Sequence, residues 1–302
     1  IKEDPIAQKL ISEVRLSHAK MFFIRLHQNG LKYNTINIAK IILQPAFQMA
    51  VDDDYIRKNP FAFKLSDVVE TDGKTRFALT ADQQQKLLSY ELQYSWHIAA
   101  ARDKTGTQDN LGSCSCYNEL VILLGTGLRI SELYGLTLRD LDFEHGKIDI
   151  NKQLCRTAAK LYFVCPPKSE SGYRIIPMSS AVRAALKKEL QNRHAPKVER
   201  IIDGYSQFVF LTPKGCPKVA YNLQGHMRGL SKWIRETQDP QFPKVTPHVL
   251  RHTFCTNIQN KIDLKSLQYL MGHSKSEVTL DVYSHINYED VETAFKQAVK
   301  TS

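Results

Sequence analysis

Apolar residues recur at three and four along the first 70 residues, as in Ile6-x-x-x-Leu10-Ile11 and Met21-Phe22-x-x-Arg25-Leu26. That spacing predicts helices. Asn29-Gly30 stops the second stretch. Thr35 is the predicted cap of a further helix carrying Ile38, Ile41, Ile42, Ala46, Met49 and Ala50, with a break at Pro45. Asn59-Pro60 closes the block. The polar, turn-rich run 66–77 reads as a linker, which sets domains at 1–70 and 71–302.

Thr80-Ala81-Asp82-Gln83 has the pattern of a capping box and opens the second domain with a helix. Residues 100–117 are polar and read as a loop. An apolar helix over Asn118–Leu124 is predicted to end near Gly125-Thr126-Gly127. The period then changes. Lys147–Ile150, Leu161–Val164 and Tyr173–Pro177 read as three short strands, and Phe208–Leu211 as a buried fourth. Helices return at 180–193 and from 221 to the end. The fold class is therefore mainly α with a small antiparallel β-sheet: a helical domain followed by an α+β domain.

Composition narrows the partners. The 302 residues carry 41 Lys plus Arg against 31 Asp plus Glu, an excess of +10, with a pI near 9.2. An anionic partner suits that excess. It is uneven: residues 1–70 hold +2 and the remainder +8. A hydrophobic fraction of 42% and mean hydropathy of −0.34 exclude a disordered chain. The apolar runs fall short of the roughly 18 residues a spanning helix needs, so no membrane partner is expected. Six cysteines in a chain this long do not make a disulfide framework. Only Cys114-x-Cys116 is close-spaced, with no second pair at zinc spacing, so reduced thiols and no metal site are expected.

Candidate chemistry clusters late in the chain. In Thr246-Pro247-His248-Val249-Leu250-Arg251-His252-Thr253, Thr246 suits a helix cap and Pro247 the first turn. His248 and Arg251, three apart, then share a face, which fits a phosphate and equally an ordinary salt-bridging surface helix. The apolar stripe Leu264, Leu267, Leu270 and Met271 ends at Gly272, a natural helix stop, which places His273 just beyond a rigid element. Asp281-Val282-Tyr283-Ser284-His285 sets a tyrosine among apolar positions, as a core residue would also be. Asp52-Asp53-Asp54 fans out by about 100° per residue on a helix and reads as a solvated run rather than a metal site.

In this order and spacing, His248-Val249-Leu250-Arg251-His252-Thr253, Leu270-Met271-Gly272-His273 and Val282-Tyr283-Ser284-His285 resemble the tyrosine recombinase (phage integrase) family. Gly125-Thr126-Gly127-Leu128-Arg129-Ile130-Ser131-Glu132-Leu133 matches the family's first arginine motif, and Lys168 lies between predicted strands where the family has its lysine. Gly30-Leu31-Lys32-x-Asn34-Thr35-Ile36 and the stretch from Ala46 to Asn59-Pro60 resemble its helical core-DNA-binding domain. The variety looks closest to integrases of conjugative transposons. Such integrases usually begin with an arm-DNA-binding domain, which this sequence lacks, and residues 1–70 look N-terminally incomplete. Residues 100–117 are longer than the family's usual connection.

The resemblance implies a site-specific recombinase that needs neither metal nor cofactor. Tyr283 would form a 3′-phosphotyrosyl link, Arg129 and Arg251 would hold the phosphate, and Lys168 would protonate the leaving 5′-oxygen. His248 and His273 would assist, with Glu132 orienting the site. Double-stranded attachment or transposon-end DNA would be clamped between the domains. Lys32, Tyr33, Asn34 and Lys40 are the candidate contacts in the first, and Arg156, Arg174, His226 and Arg228 in the second. Val291, Ala294, Phe295, Ala298 and Val299 form one helical face, which would dock on a neighbouring protomer to build a dimer or tetramer on DNA. An accessory excision factor is a further expected partner, and the setting a bacterial cytoplasm, near the nucleoid. The alternatives are a type IB topoisomerase and a catalytically silent DNA-binding module.

Overall fold

The structure, a computed structural model, describes residues 3–71, 77–103 and 115–272. The chain divides into two compact units, Ile1–Thr75 and Arg76–Ser302.

The first unit is built on α1 (Leu16–Gln28) and α2 (Tyr33–Asp52). Ala19, Phe22 and Phe23 of α1 are buried with Ile36 of α2 and with Phe61, Leu65 and Val69 from the segment that follows. The Phe23 and Phe47 rings both pack on Phe61, at centroid distances of 5.8 and 4.8 Å. Two expectations fail here. The stretch after Pro5 forms two short 3-10 turns, Pro5–Gln8 and Ile11–Glu13, because so short a run cannot nucleate an α-helix. Asp4 ties the first turn to α1 through a two-pronged bond with Arg25, at 2.6 and 2.8 Å. Nor does Pro45 break α2, which starts at Tyr33 rather than after Thr35. An interior proline removes one backbone bond at about 3 kcal/mol. Leu43 and Phe47, on either side of it, pack into the core, and the Asn59 side chain donates to the Gln44 carbonyl at 2.8 Å.

In the second unit α3 (Ala81–Asp103) opens with the expected capping box: the Thr80 N–H donates to Gln83 Oε1 and the Gln83 N–H to Thr80 Oγ1. α3 runs four residues into the stretch read as a loop from 100, and the remainder of that stretch up to Cys114 lies outside the described residues. α4 (Tyr117–Thr126) is central, with Leu120, Ile122 and Leu123 fully buried, and packs against α6 (Ser180–Gln191) and α8 (Pro247–Gln259). α5 (Ile130–Gly135), α7 (Ala220–Thr237) and α9 (Leu264–Met271) complete the helices of the described residues.

Between α5 and α6 the chain turns to strands. β1 (Leu141–Asp142), β2 (Lys147–Ile150) and β5 (Arg174–Pro177) form an antiparallel sheet in the order β1-β2-β5. β3 (Gln153–Arg156) and β4 (Tyr162–Cys165) form a separate hairpin. Ile148 and Ile150 point inward while Lys147 and Asp149 face out, as period two requires. β3 was not expected, since Gln-Leu-Cys-Arg has a single large apolar residue. Phe208–Leu211 is buried as expected over Phe208, Val209 and Phe210, but it is no strand. Its backbone bonds go to loops on both sides: Val209 N–H to the Leu136 carbonyl, and Lys218 N–H to the Phe210 carbonyl.

Candidate active site

Three turns of main chain place the predicted side chains. α4 ends at Gly127, whose φ of +63° is the left-handed cap. A Cβ there would run into the Phe254 ring, so glycine is required twice over. The chain then leaves for α5 with Arg129 at its start. The Arg129 N–H donates to Glu132 Oε2 at 2.8 Å, its guanidinium donates to Glu132 Oε1 at 2.7 Å, and a second nitrogen reaches the Gly272 carbonyl at 3.2 Å.

α8 begins as the sequence suggested. Thr246 Oγ1 accepts from the Val249 N–H at 3.3 Å, and Pro247 occupies the first turn. His248 is exposed, and Arg251, one turn on, is buried. The Arg251 guanidinium donates to the Gly127 carbonyl at 2.6 Å and to the Met271 carbonyl. Lys168 is exposed on the loop between β4 and β5. A recess of about 330 Å³ collects Arg129, Lys168, His248 and Arg251 in one place. Ser131 and Gln153 also line it, joined to each other at 2.9 Å. Nothing in their own sequence context singled these two out.

Glu132 is fully buried between two cations. Its oxygens also accept from Arg174, at 2.8 and 3.3 Å. Burial pushes the Glu132 carboxyl up, but the bonds and charge of Arg174, with Arg129 behind them, outweigh it and hold the group below the usual carboxylate range. Burial pulls the Arg251 guanidinium down to about 9, helped by the charges of Arg129 and Arg174 and opposed by Glu132. It remains a cation at neutral pH. Among the described residues Glu132 thus bonds Arg129 and Arg174, and its charge also bears on Arg251.

Two expected DNA contacts are corrected. Arg174 is not a surface residue: its side chain is wholly buried on Glu132, and it shares the inward register of β5 with Ile176. His226 is largely enclosed too, with Nε2 at 2.8 Å from Glu91. Glu91 also takes the Ser95 hydroxyl and the Cys116 N–H, so this histidine joins α7 to α3 rather than facing DNA. Lys32, Asn34, Arg156 and Arg228 are exposed, and Tyr33 and Lys40 partly so. Lys40 bonds Gln44 at 2.6 Å.

α9 ends at Gly272 with φ +60°, as its sequence implied. His273, Tyr283 and the apolar face from Val291 to Val299 lie outside the described residues, as does Cys114. Cys116, Cys155, Cys165, Cys216 and Cys255 are free thiols. Among the described residues no three His, Cys, Asp or Glu side chains come together as a metal site, and no helix is long and apolar enough to cross a membrane.

Comparison with known proteins gives the family. The model of the phage integrase family matches residues 79–290. The transposase from transposon Tn916 of Enterococcus faecalis is 41% identical over 302 residues, which cover 99% of this chain and 70% of that protein. A XerC-like tyrosine recombinase of Caldanaerobacter subterraneus is 24% identical, over 95% of this chain and 71% of that protein. The Tn1549 transposon integrase in complex with a circular intermediate DNA superposes with a TM-score of 0.84 at 39% identity, covering 98% of this chain and 89% of that one. The same integrase with transposon right end DNA gives 0.84 as well. The alternation of buried and exposed positions, the two arginine-bearing helix starts and these likenesses lead to one conclusion: the chain belongs to the phage integrase family and is a tyrosine recombinase.

Proposed function

We propose that the recess formed by Arg129, Lys168, His248 and Arg251 receives the scissile phosphate of DNA at the ends of a mobile element, and that Tyr283 attacks it. A site-specific recombinase must cut and reseal without losing the bond energy, which a covalent intermediate achieves without ATP. The tyrosine oxygen bonds to phosphorus while the bond to the 5′-oxygen breaks, leaving a 3′-phosphotyrosyl link and a free 5′-hydroxyl. The departing oxygen takes its proton from Lys168. Attack by another strand's 5′-hydroxyl reverses the step and joins the new partners.

The main obstacle is electrostatic, because the diester gains charge on its way to the pentacoordinate transition state. Arg129 and Arg251 meet that charge with planar pairs of donors. His248 and His273 supply a hydrogen bond to the phosphate or take up the tyrosine proton, which an unassisted phenol of pKa near 10 gives up poorly at pH 7. The observation that carries this reading is the convergence of four residues, from three distant stretches of sequence, on one positively charged recess.

The rest of the molecule fits around that chemistry. The first unit supplies core-DNA contacts through Lys32, Tyr33, Asn34 and Lys40, and the second through Arg156 and Arg228. The C-terminal face from Val291 to Val299 docks on a neighbouring protomer, building a dimer or tetramer on DNA. An accessory factor biases excision, and the protein works at the nucleoid of a bacterial cytoplasm.

The test is incubation with nicked attachment-site DNA in EDTA, followed by a denaturing gel. Wild type gives a protein–DNA adduct, and Tyr283→Phe binds the DNA and gives none. An adduct that persists in Tyr283→Phe overturns the assignment of the nucleophile.

A further inference from the structure

Arg174 stands at the centre of three elements, and the reaction as written gives it no part. Its Nε donates to the Leu270 carbonyl at the end of α9, at 2.8 Å. One terminal nitrogen donates to the Gly172 carbonyl at 3.1 Å and to Glu132 Oε1 at 3.3 Å. The other donates to Glu132 Oε2 at 2.8 Å. Each of these partners belongs to a piece that bears a proposed site residue. Gly172 closes the loop that carries Lys168, and a Cβ on it would strike Pro167, which precedes the lysine. Glu132 grips both the main chain and the side chain of Arg129. Leu270 lies three residues before His273, and a Cβ on Gly272 would come within 3.0 Å of Arg174 itself.

We infer that Arg174 is a positioning residue: a buried guanidinium that sets the Lys168 loop, Arg129 and the end of α9 in register with one another. The inference rests on the reading of the recess as the phosphate site. Only arginine can do this, because its planar fork directs donors along several fixed directions at once. Lysine would keep the charge and reach one or two of the partners. The loop 167–172 would then drift relative to Arg129, and an error near 1 Å in a proton donor can lower a rate on the order of 100-fold.

A leaving group that needs no proton separates positioning from mere stability. Replacing the bridging 5′-oxygen of the substrate with sulfur makes the leaving group a thiol of pKa near 8.5, which departs as thiolate without help from Lys168. Single-turnover adduct formation is measured for wild type, Arg174→Lys and Arg174→Gln on oxygen and sulfur substrates, alongside equilibrium DNA binding and thermal melts. On the oxygen substrate Arg174→Lys is expected to fall on the order of 30-fold, with binding within about threefold. On the sulfur substrate the loss should shrink at least about fivefold, because the share owed to a misplaced Lys168 disappears. Arg174→Gln should show the same partial rescue from a lower rate. Equal losses on both substrates, or cleavage by Arg174→Lys within about threefold of wild type, would overturn the inference. So would failure of both variants to melt cooperatively, since the residue would then serve folding alone. Absence of an adduct from wild type on the same gel would instead sink the reading of the recess.

Discussion

The Arg129–Glu132–Arg174–Arg251 cluster and the Lys218–Glu119–Glu189 cluster are both largely buried, and among the described residues arginines dominate the first and carboxylates the second. In the second, the Lys218 ammonium is 2.6 Å from Glu119 and 4.0 Å from Glu189. Lys218 and Glu189 line a cavity of about 590 Å³, larger than the arginine recess. Size does not decide which of the two can do chemistry. Burial and the neighbouring Glu119 push the Glu189 carboxyl up, which weakens its hold on the charged form. Arginine keeps its charge: at about 9 even Arg251 keeps its proton at pH 7. Guanidiniums that keep their charge beside a recess favour an anion there. That difference favours the smaller recess as the proposed phosphodiester site.

Breaking the acidic cluster should produce the largest effect, and one confined to stability. Lys218→Met leaves Glu119 and Glu189 buried together without their cation, at a cost of about 3–5 kcal/mol. Denaturant titration should show the loss, while cleavage per folded molecule stays at the wild-type rate. A cleavage defect beyond the unfolded fraction would mean the two clusters are coupled.

The same kind of substitution in the basic cluster should act on rate. Arg129→Lys keeps the charge and loses the fork, so adduct formation should fall about 100-fold, roughly 2.7 kcal/mol, with DNA binding nearly unchanged. Equal losses of binding and cleavage would show that the contact is made to ground-state DNA.

The smallest effect is a pH dependence. Because the folded state holds Glu132 below its ordinary value of 4.5, the ion form is favoured by folding. That stability is fully present above about 4.5 and is lost as the pH falls through the folded value. The stability gap between wild type and Glu132→Gln should therefore narrow as the pH falls below about 4.5. A gap that stays constant over this range would place the stabilisation in hydrogen bonding rather than charge.

Features settled within one turn of chain were legible in the sequence. The Thr80–Gln83 capping box, the Thr246-Pro247 start, the glycine stops at 127 and 272 and the Arg129–Glu132 pair all formed as their spacing implied. What the sequence could not display was the partner across the fold. Arg174 reads as one more surface cation, and its role depends on Glu132 and Leu270, 42 and 96 residues away. A signal did exist. Arg174 alternates with Ile176, which is buried, so the period-two rule puts the guanidinium inside. Pro45 shows the opposite error, in which a strong local rule lost to packing on Phe61 and its neighbours. Phe208–Leu211 has the composition of a strand, but its backbone finds only loops to bond.

The acceptors that hold the arginines at α9 are the carbonyls of Leu270, Met271 and Gly272. They are main-chain atoms, and no change of side chain can delete them. Sequence drift at 270 and 271 is therefore invisible to the arginines as long as the helix ends in the same place. In a saturation library scored for recombination, these two positions should accept apolar exchanges freely. Arg129, Arg174 and Arg251 should accept almost none, and Gly272 should be restricted both by its backbone angle and by the closeness of Arg174 and the Ser171 carbonyl.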